Sequence, residues 1–321
     1  MGLQLLKQVR NGCKTVAERA GRIQINYDFI SAYADSLPLE NAIQPGHDPE
    51  SHYLGQNEDT AAFFLILDSI NFGSGYFPHL QKRPGMSGYF TVASCLNDRF
   101  KTKGPLSALE LTGLTSADCL QIFEQHPENK PVGELMRLFA RALNDLGRYV
   151  QADFGGRFTE LIQAAGASAE RLMQLLIRMP FFCDVHLYDQ IEVPFYKRAQ
   201  LAAADLSLAF EGQGPGRFDD LQRLTIFADN LVPHVLRVDN ILRYPNALIS
   251  RIEAGDLIAA GSVEEIEIRA CALHAVELIK KALNASGHKI TSMGLDFLLW
   301  NRGQQPAYKS IPRHRCRTVF Y

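Results

Sequence analysis

Apolar residues recur at helical spacing along most of the chain, and the pattern is clearest over residues 262–284. Ile268 and Ile279 lie on one apolar stripe of this stretch, and Ser262 followed by Glu265 is the sequence pattern of a helix capping box. We expect this stretch to form a central helix that is apolar on most sides. The same helical period predicts helices over further ranges: 13–36, 58–72, 115–123, 132–146, 157–165, 169–177, 194–210 and 295–300.

Alternation of apolar and polar positions, the pattern of a half-buried strand, does not recur along the chain, and no internal repeat is present. The sequence therefore predicts an all-α fold in a single domain, with a possible irregular insert near residues 72–105. Residues 37–57 are rich in Pro, Asn, Gly, Asp and Gln and predict a long loop. The chain closes on Val319-Phe-Tyr321 after a basic stretch, which predicts that this terminus packs against the protein.

Composition narrows the classes of function. The chain has 321 residues, 46% of them apolar and 21% charged, and a formal net charge of −2. This charge provides no basic field of the kind that drives binding to duplex nucleic acid, although a local basic pocket stays possible. No apolar run reaches the length of a membrane span, and no secretory signal is recognised. We expect a cytoplasmic protein.

Cysteine and histidine usage indicates no metal site and no cofactor. The six cysteines are scattered, none forms a CxxC pair, and the nine histidines are dispersed. Scattered single cysteines in a chain of this length are typical of buried thiols in a reducing compartment. We expect catalysis, if present, to proceed without a metal.

One apolar stretch, residues 224–242, contains a carboxylate. Asp229 lies in it, shortly before Pro233, which fits the first turn of a new helix. A carboxylate in apolar surroundings is costly unless it has a partner or a function. Asp229 either caps the helix that begins near Pro233 or acts beside a charged ligand at the helix start, and the local sequence favours the cap.

Two further patterns have a structural and a functional interpretation. Lys197 and Arg198 fall in the first turn of a predicted helix, where cations are unfavourable; they are either exposed or face an anion. Asp68 and Asn71 are three residues apart near the end of the 58–72 helix, with Phe72 following. This pair is either a polar helix terminus or a hydrogen-bonding set for a flat heterocycle.

Six segments together resemble one family: Leu67–Phe72, Phe195–Gln200, Phe227–Asp229 with Val232–Pro233, Glu265–Ala270, Leu295–Trp300 and His314–Tyr321. The family is that of the queuosine salvage proteins, the queuosine 5′-phosphate N-glycosidases, and the resemblance extends from about residue 50 to the last residue. It implies an all-helical fold similar to that of DNA glycosylases. It also implies hydrolysis of the bond between ribose and the base queuine, which then serves tRNA modification.

The resemblance implies roles for individual residues. Asp229 matches the catalytic aspartate and Lys197 the active-site lysine. It places the base-contacting pocket on His52, Asp68, Asn71 and Phe72. Tyr196, Arg198 and Phe227, which lie in the matching segments, are further candidates for substrate binding. Gly73–His79 differs from the aromatic residues that follow the Asn-Phe pair in the family, so the reaction type is better defined than the base.

The implied chemistry agrees with the residues. Cleavage of a ribosyl C–N bond passes through an oxocarbenium-like state, which a carboxylate such as Asp229 can stabilise, attack, or supply with water. Lys197 can bind phosphate or hold Asp229 ionised, with a nucleophilic Lys197 as the alternative. The cations available for a 5′-phosphate are Lys197, Arg198, Arg313, Arg315 and Arg317.

The sequence has three alternative interpretations: an N-glycosidase for another modified nucleotide, a non-catalytic nucleotide-binding protein, and a repair glycosylase that acts on duplex DNA. The net charge of −2 argues against the last. Retention of both Lys197 and Asp229 argues against the second. We expect a monomer that binds a small nucleotide and no membrane.

Overall fold

The computed structural model describes residues 4–39 and 46–321, and 59% of these residues are in helices against 4% in strands. This composition agrees with the predicted all-α class. The chain divides into two compact units, each formed by several segments. Unit 1 contains Met1–Pro45, Asp184–Lys197 and Gln222–Arg317, and unit 2 contains Gly46–Cys183, Arg198–Leu221 and Thr318–Tyr321.

Unit 1 is built around its longest helix, α13, against which α1 and α2 pack. Its helices are α1 (Leu5–Arg19), α2 (Ile30–Ser36), α11 (Val232–Val238), α12 (Asn246–Glu253), α13 (Val263–Ala285), α14 (Ser292–Gly303) and α15 (Pro306–Lys309). Its strands form two antiparallel pairs within the described residues: β1 (Gln24–Ile25) with β4 (Leu242–Arg243), and β2 (Val185–Tyr188) with β3 (Ile191–Pro194). Helix α11 packs on α13 and α14.

Helix α13 begins where the sequence predicts. Its N-cap residue, Ser262, accepts a hydrogen bond from the Glu265 amide at 3.3 Å. The Glu265 carboxylate accepts from the Gly261 amide at 3.1 Å, one residue before the position that a capping box requires. The buried residues surround most of the helix, which confirms that it is central to this unit.

The single helix predicted over residues 13–36 is wrong, because the chain breaks between α1 and α2. Three consecutive amides in the break donate to the buried carboxylate of Glu267, at 2.8–3.1 Å: those of Gly21, Arg22 and Ile23. A buried carboxylate needs such donors. A partner on a distant helix therefore overrides the local helical pattern.

Unit 2 is organised around α3, whose residues from Thr60 to Ser69 are all buried. Helices α7 and α8 pack on α3, and α5 and α6 pack on α7. The helices of this unit are α3 (Asn57–Ser69), α4 (Gly88–Lys103), α5 (Ala108–Gly113), α6 (Ser116–Ile122), α7 (Lys130–Phe154), α8 (Phe158–Gln163), α9 (Ala169–Leu176) and, from its second residue, α10 (Lys197–Ala209).

Most helices predicted in the unit 2 part of the chain are confirmed within a few residues, and α7 is longer than its predicted range. Helix α4 occupies Gly88–Lys103 of the stretch in which an irregular insert was expected. The single-domain organisation stays a prediction. Of the predicted loop 37–57, residues 40–45 lie outside the described part of the chain.

The expectation that Pro194 opens a helix is wrong. Pro194 ends β3, paired with Val185, and α10 begins at Lys197. Between them Tyr196 has a φ of +50°, so the chain turns sharply before the helix starts. Proline has no amide hydrogen to donate. It is tolerated at this position because both strands of a two-stranded sheet are edge strands, which do not need every amide for pairing.

The C-terminal residues pack against the protein, as predicted. In unit 1 the Arg315 carbonyl accepts a hydrogen bond from the Ile258 amide at 2.8 Å, and in unit 2 the Tyr321 carbonyl accepts from the Gly73 amide at 3.0 Å.

Five cysteines are buried, while Cys183 is exposed, contrary to the expectation of buried thiols. Within the described residues, no helix is both long and apolar enough to cross a membrane.

Candidate active site

Asp229 lies half-buried in unit 1, just before α11. Its Oδ1 accepts hydrogen bonds from the amides of Leu231 (2.7 Å) and Val232 (3.2 Å), although the N-cap residue of α11 is Leu231 and no side chain caps this helix. Among the described residues, its Oδ2 makes no hydrogen bond and no ion pair. Asp229 thus stabilises the turn before α11 without being its N-cap residue, and these local bonds occupy only one of its two oxygens.

A second carboxyl group, that of Asp296 on α14, lies near Asp229. Asp296 is buried, and its Oδ1 accepts a hydrogen bond from the Phe227 amide at 2.8 Å. Burial and the charge of Asp229 raise the pKa of Asp296 well above its usual range, while the Phe227 bond and the charge of Lys197 oppose this. Asp296 therefore retains its proton to a higher pH than an ordinary aspartate does. The sequence analysis did not identify Asp296, although a carboxylate in the apolar Leu295–Trp300 segment was the available signal.

Lys197 is the first residue of α10, and its charge acts on Asp296. Lys197 and Arg198 are only 6% and 1% exposed, so the alternative of two exposed cations is wrong. The Lys197 amide donates to Asp184 Oδ2 at 3.4 Å. Unit 1 thus brings Lys197 and Asp229, which are distant in sequence, to the same buried carboxyl group.

The two aromatic residues predicted in unit 1 lie beside these groups in the chain. Tyr196 is buried in the turn before Lys197. Phe227 is also buried, two residues before Asp229, and its ring centroid is 6.1 Å from that of Phe297.

A buried guanidinium holds the segments that carry Lys197 and Asp229. Arg269 on α13 donates to Asp184 at 2.6 and 3.0 Å and to the carbonyl of Ala228 at 2.9 Å. Burial alone would raise the pKa of Asp184, but the charge of Arg269, with hydrogen bonds from His186 and Arg269, lowers it to about 2. Arg269 and Asp184 were not among the residues predicted from the sequence, although Arg269 lies in the Glu265–Ala270 segment that resembles the family.

Arg313 is a half-buried cation near Asp229. Burial lowers the pKa of its guanidinium, and the charge of Asp229 opposes this. Among the described residues, its side chain forms no hydrogen bond and no ion pair. Of the cations that the sequence offered for a phosphate, Arg313 therefore has donors available beside the candidate catalytic carboxylate.

In unit 2, Asp68 and Asn71 are in contact, with Asn71 donating to Asp68 Oδ1 at 3.4 Å. Helix α3 ends at Ser69, so the pair shares no helical face and meets through the turn that follows. Phe72 is buried against Phe139 and Phe181, with ring centroids 5.2 and 6.0 Å away. These three residues lie together, and their binding role stays a prediction.

His52 belongs to a buried aromatic cluster in unit 2. One ring nitrogen is 3.0 Å from the hydroxyl of Tyr89, and the ring centroid of His47 is 4.8 Å away. Burial lowers the pKa of His52 to about 4, so the ring is neutral at neutral pH. Burial and the charges of Asp205 and Asp68 raise the pKa of Tyr89. Tyr89 lies on α4, where the sequence predicted no helix and therefore no candidate.

Arg198 has a different environment from Lys197. Its guanidinium donates to the carbonyls of Asp68 (3.1 Å), Ser69 (2.5 Å), Phe181 and Val319 (2.7 Å). This guanidinium pairs the carbonyl groups at the C-terminal end of α3 and links them to the C-terminal segment of the chain. This arrangement favours a structural role, and the assignment of Arg198 to substrate binding stays a prediction.

Comparison with known proteins identifies the family. Residues 51–321 match the model of the queuosine salvage protein family. A protein of Sphaerobacter thermophilus is 36% identical over 313 residues, which is 96% of each chain; one of Schizosaccharomyces pombe is 33% identical over 345 residues, and one of Bos taurus 31% over 336. The chain covers 95–98% of these two eukaryotic relatives, and all three bear the name queuosine 5′-phosphate N-glycosylase/hydrolase. This chain therefore belongs to the queuosine salvage protein family.

Proposed function

We propose that this chain hydrolyses the N-glycosidic bond of queuosine 5′-phosphate and releases queuine for salvage into tRNA modification. The names of its relatives across bacteria and eukaryotes support the substrate. One structural observation supports the chemistry: Asp229 is anchored through one carboxylate oxygen, while the other makes no hydrogen bond among the described residues. An oriented carboxylate with one available oxygen is what an oxocarbenium-like transition state requires.

Asp229 acts on the anomeric carbon through Oδ2. It opposes the positive charge that develops on the ribose, and it either attacks C1′ or takes a proton from the water that does. In either case the bond between C1′ and the base nitrogen breaks, and water supplies the new C1′–O bond by the end of the cycle. A burst of free queuine in the first turnover, followed by a slower steady state, would distinguish attack by Asp229 from attack by water.

Asp296 and Lys197 set the charge around Asp229. Because the pKa of Asp296 is raised, a second negative charge beside the catalytic carboxylate is disfavoured. Lys197 supplies a positive charge to the same buried group. We assign to Lys197 an electrostatic role in this cluster.

Arg313 binds the 5′-phosphate. The charge of Asp229 acts on its guanidinium, which has donors available among the described residues, whereas the guanidinium of Arg198 is occupied by carbonyls. Arginine suits phosphate because its planar donors match two phosphate oxygens. The nucleoside without phosphate should therefore react much more slowly.

Four further features belong to the proposal. The helices adopt an arrangement similar to that of DNA glycosylases, the protein works in the cytoplasm as a monomer, it binds no duplex nucleic acid, and catalysis needs no metal. Within the described residues, no group of three or more His, Cys, Asp and Glu side chains could hold a metal ion. Activity should survive prolonged treatment with a chelator, and sedimentation should give a single species of the chain's mass.

The direct test measures free queuine after incubation with queuosine 5′-phosphate. The same assay with queuosine, guanosine 5′-phosphate and other modified nucleotides defines the base. Release of queuine from the 5′-phosphate alone supports the proposal. Release of another base at a higher kcat/KM, or binding of the nucleotide without any release, would refute it.

A further inference from the structure

We propose that Arg269 is a positioning residue for the reaction, and that its guanidinium holds in register the two segments that carry Lys197 and Asp229. The inference rests on the function proposed above. Arg269 lies on α13, outside the segments that it holds. It acts on one segment through a backbone carbonyl and on the other through Asp184.

The first segment contains Asp229. Arg269 Nε donates to the carbonyl of Ala228, the residue directly before Asp229, at 2.9 Å. On the other side, Asp229 Oδ1 accepts from the amides of Leu231 and Val232. The carboxylate is therefore held between two anchors, and Arg269 provides the one on the N-terminal side.

The second segment contains Lys197. Asp184 binds both terminal nitrogens of Arg269, and its carbonyl accepts from the amides of Phe195 (2.9 Å) and Tyr196 (3.4 Å). Its Oδ2 also accepts from the Lys197 amide at 3.4 Å. Tyr196 has a φ of +50°, a conformation that persists only when its surroundings impose it. Through Asp184, Arg269 holds the turn from which Lys197 extends.

Arginine suits this task because its donors lie in one plane. A single guanidinium reaches Ala228 through Nε and Asp184 through both terminal nitrogens, and it lies 4.0 Å from the centroid of the Phe195 ring. The ammonium of a lysine cannot reproduce this fork. Displacement of a catalytic group by 1 Å can cost about a hundredfold in rate, so loss of the fork should affect turnover.

The test is Arg269→Lys, assayed for queuine release from queuosine 5′-phosphate per folded molecule. We expect kcat to fall about a hundredfold while KM stays within about threefold, because the groups that contact the nucleotide are unchanged. A structural role alone would lower the folded fraction without this division between kcat and KM. A folded Arg269→Lys protein with wild-type kcat would overturn the proposal.

Glu267→Gln is the matched control. Glu267 is a buried charged residue on the same helix, but it binds the amides of residues 21–23 and the hydroxyl of Tyr188. This variant should lose stability and keep the wild-type kcat per folded molecule. An equal loss of kcat in Glu267→Gln would show that any damage to α13 slows the reaction, and the proposal would fail.

The double variant Asp184→Asn with Arg269→Met separates stability from position. Arg269→Met alone leaves two buried carboxylates, Asp184 and Glu265, without their guanidinium, whereas the double variant leaves only Glu265, so the double variant should be more stable than Arg269→Met alone. Its kcat should stay low, because the bond to the Ala228 carbonyl is still absent. Recovery of kcat together with stability would overturn the proposal, and so would failure of both the Arg269→Lys and the double variant to fold.

Asp229→Asn in the same assay distinguishes failure of the proposed function from failure of the positioning role of Arg269. If wild-type protein releases no queuine, the proposed function fails. If wild-type protein is active, Asp229→Asn is inactive and Arg269→Lys is unaffected, the function stands and the positioning role fails.

Discussion

Unit 1 contains two groups of buried carboxylates with opposite electrostatics. In the first, the Asp184 cluster (Asp184, Glu265, His186 and Arg269), a guanidinium contacts two carboxylates. In the second, the Asp229 cluster (Asp229, Asp296, Lys197 and Arg313), two carboxyl groups repel each other. Asp184 and Asp296 are almost equally buried, 2% and 4% exposed, but the pKa of Asp184 is lowered to about 2 and that of Asp296 is raised.

The difference shows that burial alone does not decide the state of a carboxyl group. Direct contact with Arg269 outweighs the desolvation of Asp184, whereas burial and the like charge of Asp229 both raise the pKa of Asp296. In the Asp184 cluster the carboxylates are paired with the guanidinium of Arg269, which also binds the backbone carbonyl of Ala228. The Asp229 cluster keeps an oxygen and a guanidinium available, and perturbed groups of this kind are typical of functional sites.

The largest expected effect follows removal of the Asp184 carboxylate. Asp184→Ala leaves the buried guanidinium of Arg269 without its closest partner, so the free energy of unfolding at pH 7 should fall by about 3–5 kcal/mol. In the wild type, the contribution of Asp184 is present above the unfolded pKa near 4 and is lost as pH falls through about 2. Urea unfolding at several pH values measures both. Unchanged stability at pH 7 would show that Asp184 does not stabilise the buried charge of Arg269.

Asp229→Asn tests the other cluster. Asparagine can still accept the amide bonds of the cap but lacks the negative charge, so kcat should fall by roughly a hundredfold or more. Calorimetric binding of the nucleotide and the melting temperature should change little. A variant that melts several degrees earlier yet turns over normally would mean that Asp229 is only a cap.

Arg313→Gln removes the available cation of the Asp229 cluster. A hydrogen bond to a charged group contributes about 1.5–3 kcal/mol, so KM for queuosine 5′-phosphate should rise at least tenfold. The KM for queuosine, which lacks the phosphate, should stay the same. Arg217→Gln is the matched control, because Arg217 is an exposed guanidinium paired with Asp219. Equal effects on nucleotide and nucleoside would exclude a phosphate contact.

The smallest effect is expected for Asp296→Asn. Because the folded pKa of Asp296 is raised, the group lowers stability as pH increases above its unfolded pKa near 4. The neutral variant should therefore melt a few degrees higher at pH 7, and the gain should disappear below about pH 4. Calorimetric melting from pH 3 to pH 8 measures this. A gain that does not depend on pH would mean that Asp296 is not protonated through burial beside Asp229.

The sequence by itself determined the helical class, most helices and the two central residues of the candidate site. Periodicity suffices for α13 and α3 because a helix buries a repeating set of positions whatever it packs against. Asp229 and Lys197 stand out because each contradicts its local context, a carboxylate in an apolar run and a cation in a first helical turn. The six segments that resemble the family then connected these residues to one reaction.

Only the tertiary structure decided which distant groups meet. The break between α1 and α2 depends on Glu267, more than 240 residues away, and the turn at Tyr196 depends on Asp184 and Arg269. Likewise, the raised pKa of Asp296 depends on its burial and on the charges of Asp229 and Lys197, which approach it only in the folded chain. Local propensity contains none of this, because the energy of a buried charge is set by its neighbours in space rather than in sequence.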